Sequence, residues 1–143
     1  ESLKYNDVVT DFGEQGNGRF CYYVKASEGI NNIYGPTNLG SYSNISCISQ
    51  TPIIFLPNSF TPNRDEHNEL YIPVTYFVSE DGYLFSIYDR NGNLIFETTD
   101  PKKGWDGSYR GSLVQKGTYV YVLKYINGVG NLINKTGPIN VIK

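Results

Sequence analysis

Tyr83-Leu84-Phe85-Ser86-Ile87-Tyr88-Asp89-Arg90-Asn91-Gly92-Asn93-Leu94-Ile95-Phe96-Glu97 reads as two short apolar stretches around a turn. An extended chain sets Tyr83, Phe85 and Ile87 opposite Leu84, Ser86 and Tyr88. Asn91-Gly92 tolerates positive φ, which a tight primed hairpin turn needs, so residues 83–89 and 94–97 are expected to pair antiparallel. Downstream, residues 118–126 form the strongest strand pattern, with Tyr119, Tyr121, Leu123 and Tyr125 against Val120, Val122, Lys124 and Ile126. Asn127-Gly128 and Gly130-Asn131 then turn the chain into a last strand, 133–142. In it, Ile139 and Val141 share one face and Asn140 and Ile142 the other. Gly137-Pro138 marks a bulge or an edge in that strand, because proline cannot donate to a ladder.

Upstream, residues 2–10, 20–26, 42–48, 53–56 and 69–74 are further strand candidates. No window holds an apolar helical stripe for three turns, and Gly or Pro interrupts most segments. Short strands at regular spacing with turn signals between them indicate a β-sandwich. The composition agrees: 15 Gly and 7 Pro supply turns, while 13 Tyr and 7 Phe beside many Val and Ile favour strands. The fold class is therefore all-β.

The composition changes near Ser49-Gln50-Thr51-Pro52. Both cysteines precede this point; the single Trp, the single His and most hairpin signals follow it. Residues 53–143 have the size of an immunoglobulin-like antiparallel sandwich. Residues 1–50 offer three strands, too few to stand alone, so they are read as part of a domain or as leaning on the C-terminal one. Glu1 is not a start methionine and no signal peptide follows it, so the chain is read as a mature product or a part of something longer.

Twelve Lys and Arg against 14 Asp and Glu leave a net charge of -2. That excludes the electrostatic footprint of a nucleic-acid or anionic-membrane binder. No apolar run approaches a bilayer-spanning helix, and no direct bilayer insertion is expected. One His and two Cys leave almost no material for a zinc site or a Ser–His–Asp apparatus. The carboxylates Glu80, Asp81, Asp100 and Asp106 are scattered through turns, with no pair forced to glycosidase separation. An enzyme is not expected. Cys21 and Cys47 lie in consecutive strands. They are read as a disulfide in an exported protein, worth about 3 kcal/mol by chain entropy, with two buried thiols as the alternative.

Two motif stretches carry a family resemblance. The first is Pro57-Asn58-Ser59-Phe60-Thr61-Pro62-Asn63-Arg64-Asp65-Glu66-His67-Asn68-Glu69-Leu70. The second runs through Phe85-Ser86-Ile87-Tyr88-Asp89-Arg90-Asn91-Gly92, Gly104-Trp105-Asp106-Gly107, Gly111 and Gly117-Thr118-Tyr119-Val120-Tyr121. In this order and spacing, residues 53–143 resemble the gliding-motility-associated C-terminal domain of Bacteroidota, the type B signal of the type IX secretion system. Residues 1–50 resemble the last strands of a fibronectin type III-like domain, of the sort that precedes this signal in large surface adhesins. The resemblance implies a sorting signal that carries a secreted protein across the outer membrane to the bacterial cell surface. It implies as partners the outer-membrane translocon and a PorP/SprF-like outer-membrane barrel. The chain departs from the family in one turn: Arg64 and Glu66 stand where an Asn-Gly-Asp-Gly-like sequence is usual, a bulkier turn less suited to a ligand site needing glycine's backbone freedom.

As an address, the chain offers two recognition features. One is the last strand, Ile139, Val141, Ile142 and Lys143, whose edge could accept a strand. The other is a pair of aromatic-bearing loops, with Asn58, Phe60, Thr61, Pro62 and Asn63 in one and Trp105, Asp106 and Gly107 in the other. Trp105 can equally be a core anchor beside a turn capped by Asp106, and the tyrosine stripe a covered sheet face rather than a glycan-binding one. Asn63, Asp65, Asn68 and Glu69 bring several hard oxygens into one loop, which suits calcium, although the spacing is not that of an EF-hand. An Asx-rich turn bonding its own backbone is the other reading. His67 is read as a solvated loop residue. No other cofactor is implied. An adhesive glycan- or protein-binding module, or a structural spacer of a surface filament, remains the alternative function.

Overall fold

The computed structural model describes residues 4–9, 16–27 and 40–142. Its elements are all strands: β1 (Arg19–Tyr22), β2 (Lys25–Ser27), β3 (Gly40–Tyr42), β4 (Ser46–Ser49), β5 (Ile53–Phe55), β6 (Ser59–Phe60), β7 (Val74–Tyr76), β8 (Leu84–Tyr88), β9 (Leu94–Thr98), β10 (Ser108–Tyr109), β11 (Ser112–Leu113), β12 (Gly117–Ile126) and β13 (Leu132–Val141). The main sheet has the order β6-β13-β12-β8-β9. Every neighbour in it is antiparallel except β6, which runs parallel to β13. With β8, β12 and β13 as adjacent central strands, this is the C–F–G sheet of an immunoglobulin-like sandwich. A second signature agrees: the Tyr119 hydroxyl, near the start of β12, donates to the Gln115 carbonyl at 2.8 Å. That is the tyrosine corner of such sandwiches.

Period-two alternation places one face of this sheet inside. Phe85 and Ile87 of β8, Tyr119, Leu123 and Tyr125 of β12, and Ile139 and Val141 of β13 are buried, and Tyr121 is half-buried. Phe60, Tyr71, Val78, Tyr83 and Trp105 complete the core, with Ile54 of β5 and Val114, just after β11, packed against it. Gly137 faces Tyr121 across the ladder. A β-carbon there would come within 2.6 Å of the Tyr121 hydroxyl, so the ring occupies the place a side chain would take. Burial pushes the phenol pKa of Tyr71 and Tyr83 up, keeping both neutral. The outer face of β5–β7 leaves Ile53, Phe55, Val74 and Tyr76 open to solvent.

The β8–β9 turn differs from the expected tight primed hairpin. Of Asn91-Gly92 only Gly92 has positive φ, whereas a type I′ turn needs both central residues there. The chain instead closes with Gly92 N–H donating to the Asp89 carbonyl and Asp89 N–H to the Asn93 carbonyl. The Asp89 carboxylate accepts from the amides of Asn91 and Asn93. The β12–β13 turn repeats the scheme, with Asn127 in place of Asp89 and Gly130 in place of Gly92. The two-residue primed turn lies elsewhere, at Arg110-Gly111 between β10 and β11, both at positive φ.

Two further expectations are corrected. Residues 69–74 hold only an isolated bridge, Tyr71 to Trp105, and the strand forms at Val74–Tyr76, beyond the proline that interrupts the ladder. In the stretch 2–10, residues 4–9 form no strand and residues 2, 3 and 10 lie outside the described residues. At Gly137-Pro138 the β12–β13 register is unbroken, so the proline marks an edge and not a bulge.

The N-terminal segment pairs β1 with β4 and β2 with β3, and Cys21 and Cys47 face each other across β1–β4 and are joined by a disulfide. Every residue of β2, β3 and β4 is exposed. This segment meets the sandwich where Phe20 packs edge-on against Phe77 and where Ser49 Oγ donates to the Gly128 carbonyl at 3.3 Å.

Alternation along β13 generates a direct test by urea denaturation. Ile139→Ala, at a site with no exposure, should cost about 2–5 kcal/mol. Ile142→Ala, at a half-exposed position on the other face, should cost about 0.5 kcal/mol or less.

Candidate recognition site

The second motif is organised by Trp105. Its backbone exchanges two hydrogen bonds with Tyr71, Tyr71 N–H to the Trp105 carbonyl at 2.8 Å and Trp105 N–H to the Tyr71 carbonyl at 3.0 Å. Its ring is fully buried, 5.3 Å from the Phe60 ring and 5.4 Å from the Tyr119 ring. The indole N–H donates to the Ser108 carbonyl at 2.9 Å, so the one polar atom of the side chain is paired inside. Asp106 caps the turn, its carboxylate accepting from the Ser108 hydroxyl at 2.6 Å and the Ser108 amide at 2.9 Å. These donors, the hydroxyl foremost, hold its carboxyl below the ordinary range. Gly107 sits at φ +74°, and a β-carbon there would stand 2.7 Å from Pro62 Cγ. Both the backbone conformation and the close approach of the other loop require glycine.

The first motif is a turn that feeds its own backbone. Asp65 N–H donates to Glu69 Oε1 at 2.6 Å and to Asn63 Oδ1 at 3.2 Å, His67 N–H donates to Asp65 Oδ1 at 2.9 Å, and Asn63 Nδ2 donates to Asp65 Oδ2 at 2.9 Å. The Asn63 amide and the His67 amide lower the Asp65 pKa. Thr61 N–H donates to the Asn68 carbonyl and closes the loop. The side-chain oxygens of Asn63, Asp65 and Glu69 thus converge, and they are engaged by donors of the turn; Asn68 contributes its carbonyl. Among the described residues no group of three or more His, Cys, Asp or Glu is arranged to hold a metal ion. His67 is exposed. Arg64 and Glu66 have φ of 66° and 68°, with Asn68 at 52°. The bulk of Arg64 and Glu66 therefore leaves the left-handed backbone in place, at a steric cost that glycine would not carry.

The two motif loops come together. They share a cleft of about 390 Å³ lined by Pro62, Arg64, Glu69, Leu70, Asp106, Ser108, Gly111 and Leu113. A larger cleft of about 640 Å³ lies along Ile72, Pro73, Val74 and Tyr76, bounded by Glu80, Asp81 and Lys102. Of the recognition residues read from the sequence, Phe60, Pro62, Trp105, Gly107, Ile139 and Val141 are buried. The aromatic side chains cannot serve as exposed anchors, because burying Phe60 and Trp105 against each other is what holds the loops together. Asn58, Asn63, Asp106 and Ile142 are exposed and Thr61 is half-buried; Lys143 lies outside the described residues. The last strand is tied to the first motif through their neighbours in sequence: Asn140 and Ile142 N–H donate to the Asn58 and Phe60 carbonyls, each at 3.0 Å, while the Ile139 and Val141 side chains lie in the core.

Residues 54–141 match the family model of the CHU_C type IX secretion signal domain. The chain belongs to that family. No curated protein matches the chain. The matched stretch runs from β5 to the end of β13, so it takes in the whole main sheet and both motif loops. A type IX secretion signal domain is a sorting signal rather than a catalytic unit, and it directs export across the outer membrane, toward the cell surface or beyond. In this signal domain the buried motif residues form a scaffold, and the polar residues Asn58, Asn63 and Asp106 around them are exposed.

Two measurements follow from the loops. Arg64→Gly or Glu66→Gly should raise stability by about 0.5–1 kcal/mol in chemical denaturation, by relieving the left-handed strain. Asp106 binds protons less readily folded than unfolded, so its contribution is present above the ordinary carboxylate pKa of about 4 and is lost as pH falls below it. The melting temperature should drop on acidification below about pH 4. Asp106→Asn, which keeps an acceptor and removes the titration, should make that drop smaller, leaving the share of Asp65 and Asp89, whose carboxyls are also held below the ordinary range.

Proposed function

We propose that this signal domain is the address of a large surface protein of the gliding or adhesin type. The type IX translocon would read it as a folded unit, with a PorP/SprF-like outer-membrane barrel as its partner. The observation that carries the reading is the family match over the whole sandwich together with the surface the fold leaves: a polar rim of Asn58, Asn63 and Asp106 around two interlocked loops. The contacts are assigned to this rim, to Thr61, and to Ile142 and Lys143, which follow β13 in the sequence. A disulfide at Cys21–Cys47 suits an exported protein. Residues 1–50 are assigned to the end of a fibronectin type III-like domain, a reading supported by strand pairs that bury almost nothing of their own.

The test is transport of a passenger. The 143-residue chain, fused behind a periplasm-directed fluorescent protein in cells with a type IX system, should make the reporter accessible to external protease. Deleting the PorP/SprF-like barrel should abolish this. Retention of the wild-type fusion in the periplasm would contradict the proposal. Deleting 139–143 is not a clean control, since it removes buried Ile139 and Val141; trimming residues 142–143 spares the core.

A further inference from the structure

The edge of the main sheet is only partly covered. β6 pairs with β13 at Asn140 and Val141 alone. Asn140 and Ile142 send their N–H groups toward β6, and on the other side Asn127 N–H donates to the Asn131 carbonyl in the β12–β13 turn. Backbone polarity alternates along a strand, so even-numbered residues of β13 point away from β12 and odd-numbered ones toward it. Leu132, Asn134 and Thr136 therefore turn both N–H and C=O outward. Among the described residues no hydrogen bond reaches these groups from any other strand or loop. Pro138 closes this stretch: its outward position lacks an N–H. Pro57 stands two residues before Ser59 just as Pro138 stands two before Asn140. The chain leaves the sheet edge there and joins β7 through β5 instead.

We propose that the open edge at Leu132, Asn134 and Thr136 is the docking strip of the signal domain, and that its occupant is an extended segment of a secretion-machinery protein added as a strand beside β13. This rests on the sorting-signal reading above. The segment is about six residues long, the length of residues 132–137 between the turn at Asn131 and Pro138. Its side chains alternate like those of β13. One facing the second layer next to Gly137 meets the half-buried Tyr121 ring and is apolar; one next to exposed Lys135 is acidic.

Proline supplies a clean probe, because it removes an outward donor as Pro138 does and leaves the β12 ladder untouched. In the same passenger assay Thr136→Pro, alone and with Asn134→Pro, should lower surface reporter at least tenfold. Thr136→Val, which retains the N–H, should transport as wild type. Circular dichroism and a melting temperature close to wild type certify the fold of each purified chain. Should Thr136→Pro melt too low to judge, N-methylation of the Thr136 amide in semisynthetic chain, read by in vitro capture on purified translocon, gives the same comparison. Wild-type transport by a folded Thr136→Pro chain overturns the strip while leaving the address intact; failure of the wild-type fusion overturns the address itself. A concentration-dependent dimer in sedimentation that Thr136→Pro dissolves would also overturn the proposal, by assigning the edge to a second copy.

Discussion

The fold depends on the burial of Trp105 between Phe60 and Tyr119. A single ring joins the β6 segment to β12, its backbone holds Tyr71 by two hydrogen bonds, and its indole N–H closes the turn at Ser108. Phe60, Tyr71, Ser108 and Tyr119 all meet this one residue, two of them through ring contacts and two through hydrogen bonds. Truncating such a ring removes burial worth several kcal/mol and leaves a cavity that rigid strands cannot fill. Net stabilities of small domains are about 5–15 kcal/mol, so this one packing interaction is a large share of the whole.

Interlocking explains why residues that look like a recognition motif are mostly inside. Pro62 lies on Gly107, Phe60 on Trp105, and the Asn58 carbonyl on the amide of Asn140. The sequence of the two loops specifies how they fit each other. What the interlocking leaves on the surface, among the described residues, is a polar rim of exposed Asn58, Asn63 and Asp106 and the stretch of β13 that β6 does not pair.

Much of the sheet could be read from alternation. Strand geometry puts Phe85 and Ile87, and Tyr119 and Leu123, on one face of their strands, and all four are buried, although both faces carry apolar residues and Ser86 is buried as well. Ile139 and Val141 were separable from Ile142 for the same reason. Turn types were less accessible. Asn91-Gly92 satisfies a primed hairpin locally, yet Asp89 competes by accepting two amides, and the turn opens to three residues. The primed turn at Arg110-Gly111 carries no Asn or Asp signal, because Arg110 is held at φ 52° by the strands around it. The inward fate of Phe60 and Trp105 needed a long-range partner to predict. The left-handed backbone of Arg64 and Glu66 was hidden because neither side chain favours it.

The central claim is a closed sandwich whose last strand is half covered, and residue-resolved amide hydrogen exchange on the 143-residue chain measures both parts at once. The account predicts slow exchange at Tyr71, Trp105 and along β12. In β13 it predicts alternation, with Ile133, Lys135 and Gly137 slow and Leu132, Asn134 and Thr136 fast. Uniform protection across 132–136 would mean the edge is already occupied, and uniformly fast exchange at Trp105 and β12 would mean the sandwich does not close; either result contradicts it.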